Sequence, residues 1–202
     1  MNINLKKALN FVHEREHYEG GFTLYKGVPN TKNTYYGVKI LEMFNEEPNN
    51  KEKTINWVQK LQNDRMYRIK GVFYRLNILN SFDKEIKVPD GYIEKLNAKN
   101  KFSSQKVAYY YIVISNVLKL DNLNKIADWI LSNQNNDGAF GSGRSEIIST
   151  YYALESLNYI DPSLIKMKDQ INNFAQRCLT KRWIYIYTGY LPTIPRTNIC
   201  GS

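Results

Sequence analysis

Cysteine and histidine are both scarce, with two of each in 202 residues. Cys178 and Cys200 are too few for the disulfide framework of a small secreted domain, and they suit a reducing compartment. With only His13 and His17 present, a zinc site built from three histidines is excluded. No apolar run approaches the roughly 18–20 residues that a membrane span needs. The opening MNINLKKALNFVHE is amphipathic and carries acid early, so it reads as a helix rather than a signal peptide. These absences describe a cytoplasmic, non-membrane chain.

Dense charge is missing too. The net charge is +9, which suits an anionic partner, but the lysines are nearly always interleaved with Glu, Asp or Asn. The densest basic runs are Lys51-Glu-Lys53 and Lys181-Arg182, and no nucleic-acid motif appears, so no nucleic-acid partner is expected. What is abundant is aromatic: sixteen tyrosines and three tryptophans. A hydrophobic content of 43% with 23% charged residues marks a folded chain, and its length suits one domain over residues 1–202.

The two histidines fall in His13-Glu14-x-x-His17, the spacing that places two imidazoles on one helical face around zinc, with a glutamate as general base. A repeat explains the string better. Lys7, Phe11, Val12, Glu16, Gly20 and Phe22 match Lys125, Trp129, Ile130, Gln134, Gly138 and Phe140 without a gap. His13 and His17 then occupy the places of Leu131 and Asn135, and Glu16 fills a Gln position. The string is read as a surface helix with two incidental histidines, not a protease.

A third copy begins at Lys53, with Trp57, Val58 and Gln62 in register, and weaker ones centre on Tyr92-Ile93 and Phe174-Ala175. A second box follows each first. Thr34-Tyr-Tyr-Gly-Val-Lys-Ile-Leu41 matches Thr150-Tyr-Tyr-Ala-Leu-Glu-Ser-Leu157, with looser relatives at Val72–Leu79 and Ala108–Ser115. Apolar residues recur at three- and four-residue steps, so both boxes are helical. The unit is helix, glycine-bearing loop, helix, repeated every 35–46 residues or so. First helices are expected at about 3–16, 50–63, 88–98, 121–134 and 163–179. Second helices are expected at about 31–45, 67–82, 103–119 and 145–160. Pro29, Pro48, Pro89 and Pro162 all fall between them. The fold is all-α, with repeats at roughly 1–47, 48–85, 86–120, 121–161 and 162–202.

The first box resembles the QW motif of squalene and other triterpene cyclases. Gln134-Asn-Asn-Asp-Gly-Ala-Phe-Gly141, followed by Thr150-Tyr-Tyr-Ala-Leu, is similar to repeats of protein prenyltransferase β subunits. Both belong to the α/α-toroid superfamily, and the resemblance covers nearly the whole chain. It implies a ring of paired helices whose second helices line a central cavity. Set on that wall, Tyr35, Tyr36, Tyr74, Tyr109, Tyr110, Tyr151 and Tyr152 would offer aromatic faces to an isoprenoid chain or a carbocation. Some of these rings would instead pack between helices. Arg75 and Arg144 are the candidate contacts for a diphosphate.

The superfamily's catalytic strings do not carry over. There is no D-x-D-D acid motif: Asp83, Glu85 and Asp90 lie in a polar linker, and Asp137 is a turn residue. Cys178 has no plausible zinc-ligand neighbours, and the thioester string Gly-Cys-Gly-Glu-Gln is absent. No metal ligands or cofactor are assigned, and Mg²⁺ or Zn²⁺ is the ion that would accompany a diphosphate. The tail Pro195–Ser202 aligns with Pro29–Tyr36 and ends where a fifth second helix should start. That gives an incomplete ring of four and a half hairpins against about six in a closed one, which suggests a homodimer or partner subunit at the open end. Two functions are expected from different classes: an isoprenoid-handling toroid, or a non-catalytic toroid that binds a protein or peptide.

Overall fold

The computed structural model describes residues 3–25, 27–61, 68–84, 88 and 91–187. They form nine α-helices: α1 Ile3–His13, α2 Thr31–Glu42, α3 Lys51–Lys60, α4 Ile69–Asn80, α5 Tyr92–Asn97, α6 Gln105–Val117, α7 Leu123–Leu131, α8 Ile147–Ile160 and α9 Lys168–Tyr187. Among the described residues there is no strand, only two isolated bridges, Glu16 with Phe22 and Gln134 with Phe140. The chain divides into two compact units, Met1–Tyr92 and Ile93–Ser202.

Local chemistry explains the helix limits. Asn30 caps α2 by accepting from the Asn33 N–H at 2.9 Å, and Ser104 caps α6 by accepting from the Val107 N–H at 3.3 Å. Three second helices end alike. Asn45, Asp83 and Lys119 take left-handed φ values of 55°, 53° and 55°. The next N–H then reaches back to Leu41, Leu79 and Ser115 at 3.0, 2.9 and 2.8 Å. This turn satisfies carbonyls that the helix end leaves open. Lysine fits the left-handed region worst of the three. Lys119→Gly is therefore expected to stabilise the protein by about 0.5–1 kcal/mol, read as a rise in the midpoint of chemical denaturation.

Within each unit, second helices pack against each other, α2 on α4 and α6 on α8, while α1, α3 and α7 pack against the second helices. The first unit's core joins Leu9 and Val12 of α1, Phe22 of the loop that follows, Val38 and Leu41 of α2, Ile55 and Val58 of α3, and Ile78 and Leu79 of α4. The second unit's core joins Ala108, Ile112, Ile126, Ile130, Phe140, Ala153 and Leu157.

The two best-matched repeats share their anchoring backbone bonds and differ at the Glu16/Gln134 position. The Phe22 N–H donates to the Thr34 hydroxyl at 2.9 Å, and the Phe140 N–H donates to Thr150 at 2.9 Å. The N–H groups of His17 and Asn135 donate to Gly21 and Ala139, each at 2.8 Å. The Glu16 carboxylate accepts from the Asn49 and Asn50 N–H groups at 2.9 and 2.8 Å, capping the approach to α3. Gln134 instead donates within its own turn, to the Gly138 carbonyl at 2.9 Å.

Two expectations need correction. α1 stops at His13, three residues short of the expected end, so His17 lies beyond the helix. The expected helix over 163–179 is a 3₁₀ turn, Pro162–Leu164, followed by α9 from Lys168 to Tyr187. Asp161 causes the break by accepting from both the N–H and the hydroxyl of Ser163. The reading of Cys178 and Cys200 as thiols in a reducing compartment involves Cys200, which lies outside the described residues. The turn of the second expected hairpin at residues 62–67, the junction between the second and third repeats at 85–87, 89 and 90, and the tail from 188 also lie outside the described residues.

Candidate functional site

Each second helix carries an aromatic pair at the same two places, and the lateral packing of those helices turns the pairs into clusters. In the first unit, Tyr35 of α2 meets Phe73 and Tyr74 of α4 with ring centroids 5.5 and 5.4 Å apart. Tyr36 meets Tyr74 at 6.4 Å, edge to face. Tyr74 is buried, Tyr35 half-buried, and Tyr36 is 49% exposed. Phe73 was not among the expected site residues, although its place in the second box marks it. Arg75 follows Tyr74 on α4 and is buried, with 6% exposure.

The second unit repeats the arrangement with different exposure. Tyr109 of α6 lies 5.6 Å from Tyr152 of α8, and Tyr151 lies 5.1 Å from Tyr152. Tyr110 is buried, Tyr109 and Tyr152 are half-buried, and Tyr151 is 56% exposed. The structure thus brings Tyr35, Tyr36 and Tyr74 together in one unit and Tyr109, Tyr110, Tyr151 and Tyr152 in the other. Edge-to-face pairs of this kind contribute about 0.5–1.5 kcal/mol each beyond the area they bury. The buried rings therefore hold helices together, while Tyr36 and Tyr151 face solvent.

A cation that the sequence reading missed stands beside the second cluster. The Lys106 ammonium, in the first turn of α6, lies 5.2 Å from the centre of the Tyr152 ring. Burial pulls its pKa down as the largest single influence. Hydrogen bonding and charge attraction to the phenol oxygens of Tyr152 and Tyr110 together outweigh it, so the pKa is raised and the group is an ammonium at neutral pH. A raised lysine pKa stabilises the fold below the ordinary lysine value and loses that contribution as pH climbs through the raised one. The sequence shows only that Lys106 stands three residues before Tyr109, one turn away on the same helix. Arg144 does not join this group by its position in a helix; it is exposed in the loop leading into α8.

The histidine string does not form a metal centre. The Glu16 carboxylate lies 2.7 Å from His13 Nδ1 while capping α3, and His17 Nδ1 accepts from the Glu19 N–H at 3.3 Å. Among the described residues no three His, Cys, Asp or Glu side chains converge, and no helix is long and apolar enough to cross a membrane. A groove of about 330 Å³ runs between α8 and the start of α9, lined by Leu154, Ile165, Lys168 and Ile171 among others, and none of the aromatic pairs lines it.

The family model for the prenyltransferase alpha-alpha toroid domain matches residues 1–77 and again 79–188. No curated protein matches the chain.

Proposed function

The chain belongs to the prenyltransferase alpha-alpha toroid family, and from that premise we propose that it binds an isoprenoid chain bearing an anionic head, a prenyl diphosphate, on the aromatic wall of its second helices. The observation that carries this reading is the Lys106 ammonium set beside the Tyr152 ring, against which Tyr109 and Tyr151 pack. An ammonium next to partly exposed aromatic faces suits a molecule with one charged end and a long apolar body. In the first unit Tyr35 and Tyr36, packed on the buried Tyr74, are the corresponding aromatic positions, and Arg75 and Arg144 remain proposed anion contacts. Mg²⁺ or Zn²⁺ would accompany the diphosphate rather than sit in a protein cage.

Turnover of the bound chain, by ionisation, cyclisation or transfer, is the catalytic form of this proposal. The absence of a D-x-D-D string from the sequence favours a second form, a non-catalytic toroid that binds a protein or peptide. The test is binding of farnesyl diphosphate and farnesol, measured side by side. Lys106→Met is expected to weaken the diphosphate by about tenfold, the usual scale of one charge-assisted contact. Farnesol should bind the variant as it binds the wild type. Equal loss for both ligands would contradict the assignment of Lys106 to the head group.

A further inference from the structure

The second helices share a further regularity that their aromatic pairs do not explain. Lys32, Lys70 and Lys106 are each the second residue of their helix, α2, α4 and α6. Each stands four residues before the second ring of its pair, Tyr36, Tyr74 and Tyr110, one turn away on the same face. In α8 the place belongs to Ile148. None of the four second helices has an acid in its first turn, whereas α3, α5 and α9 carry Glu52, Glu94 and Asp169 there. A lysine at a helix start meets the positive end of the macrodipole and is disfavoured. The same unfavourable choice at one place in three helices is a local conflict of the kind that functional sites carry.

Lys106 shows where the position leads, because its ammonium reaches the ring and phenol oxygen of Tyr152 and the phenol oxygen of Tyr110. In the first unit Lys32 and Lys70 are exposed, and among the described residues no carboxylate pairs with either. α2 and α4 pack side by side, and Tyr36 meets Tyr74 at 6.4 Å with both rings at the sixth position of their helices. α3 carries the chain back between them, so both helices start at the same end. That end brings two ammonium groups within one turn of a single aromatic cluster, in which Tyr36 is 49% exposed. Two cations without a carboxylate, beside an exposed ring, suit a phosphate-bearing head.

We propose that Lys32 and Lys70 form a second seat for a diphosphate group, at the starts of α2 and α4 beside Tyr36. The seat extends to the first unit the reading of Lys106 as a head-group contact. The experiment is calorimetric titration of the full chain with farnesyl diphosphate and, separately, with inorganic pyrophosphate. Two farnesyl diphosphate sites per chain are expected, one of which Lys106→Met weakens. The double variant Lys32→Met, Lys70→Met should weaken the other by roughly tenfold or more, and pyrophosphate at that seat by a similar factor. The same variant should unfold at a higher urea concentration than the wild type, because each lysine opposes its helix end, so lost binding is not lost folding. Lys7→Met with Lys125→Met removes equal charge from first helices and should bind both ligands as the wild type does. Pyrophosphate binding that depends on Lys32 and Lys70 without any binding of farnesyl diphosphate would overturn the prenyl reading and leave the seat standing. A single farnesyl diphosphate site per chain, unchanged binding of both ligands in the Lys32 and Lys70 variant, or an equal loss in the Lys7 and Lys125 variant would overturn the seat.

Discussion

Gly20→Ala is expected to cost about 4 kcal/mol or more, a large effect for one added methyl group. A Cβ at this position would lie 2.3 Å from the Lys53 carbonyl oxygen and 2.7 Å from the Thr54 nitrogen. Both belong to the backbone of α3's first turn, which cannot swing aside as a side chain can. Gly20 also has φ +104°, where an L side chain adds strain of its own. Relieving the clash means lifting the 14–21 loop from α3. That motion breaks the Gly21 N–H bond to the Thr54 hydroxyl at 3.0 Å and the Glu16 caps on Asn49 and Asn50. Gly143 provides the comparison, because its φ of +77° is also left-handed but nothing lies within 4 Å of its built Cβ. Gly143→Ala should cost only about 1 kcal/mol of backbone strain. Equal midpoints for the two variants in urea would mean that the first repeat's loop does not rest on α3.

Phe140→Ala is expected to cost about 4 kcal/mol, toward the upper end for a buried phenylalanine. Its side chain is 1% exposed within the second unit's core. The backbone around it cannot collapse into the space left behind. Its N–H donates to Thr150 at 2.9 Å, and its carbonyl accepts from the Glu146 N–H at 3.0 Å. Both partners lie at the start of α8, so the cavity stays open and its full cost is felt. Phe11→Ala makes the contrast. That ring is 51% exposed with the Arg15 guanidinium 4.4 Å from its centre, so its loss should cost about 1 kcal/mol or less. Denaturant midpoints for the two variants check the difference, and similar losses would contradict the assignment of Phe140 to the core.

These two positions also show why the repeat was readable. Gly20 and Gly138, Phe22 and Phe140, and Thr34 and Thr150 each do one physical job that few other residues can do: close approach, filling a core, and accepting a buried N–H. Residue identity is therefore retained where packing demands it. The second-helix ends were not readable, because their left-handed turns use Asn45, Asp83 and Lys119 where the familiar signal is glycine. The break before α9 depends on Asp161 binding Ser163, a side-chain contact that helical periodicity does not register. The histidine string failed for a related reason: spacing assumes a continuing helix, and α1 ends at His13.

At the candidate site, the aromatic pairs were legible as helix-face positions, but their separation into buried and exposed members was not. Tyr74 and Tyr110 are buried while Tyr36 and Tyr151 are exposed, because exposure depends on which neighbouring helix lies alongside. Lys106 was passed over for a similar reason. A single exposed lysine looks like ordinary surface until the packing of α6 against α8 brings the Tyr152 ring beside it.

The most direct test of the proposed function is thermal unfolding with geranyl, farnesyl and geranylgeranyl diphosphate, each with and without Mg²⁺ or Zn²⁺. A ligand at a hundredfold excess over its Kd stabilises the native state by about 2.7 kcal/mol, a rise of roughly 5–10 °C for a chain of this size. The account predicts a rise in Tm that grows with prenyl chain length. No shift with any of the three diphosphates would contradict it.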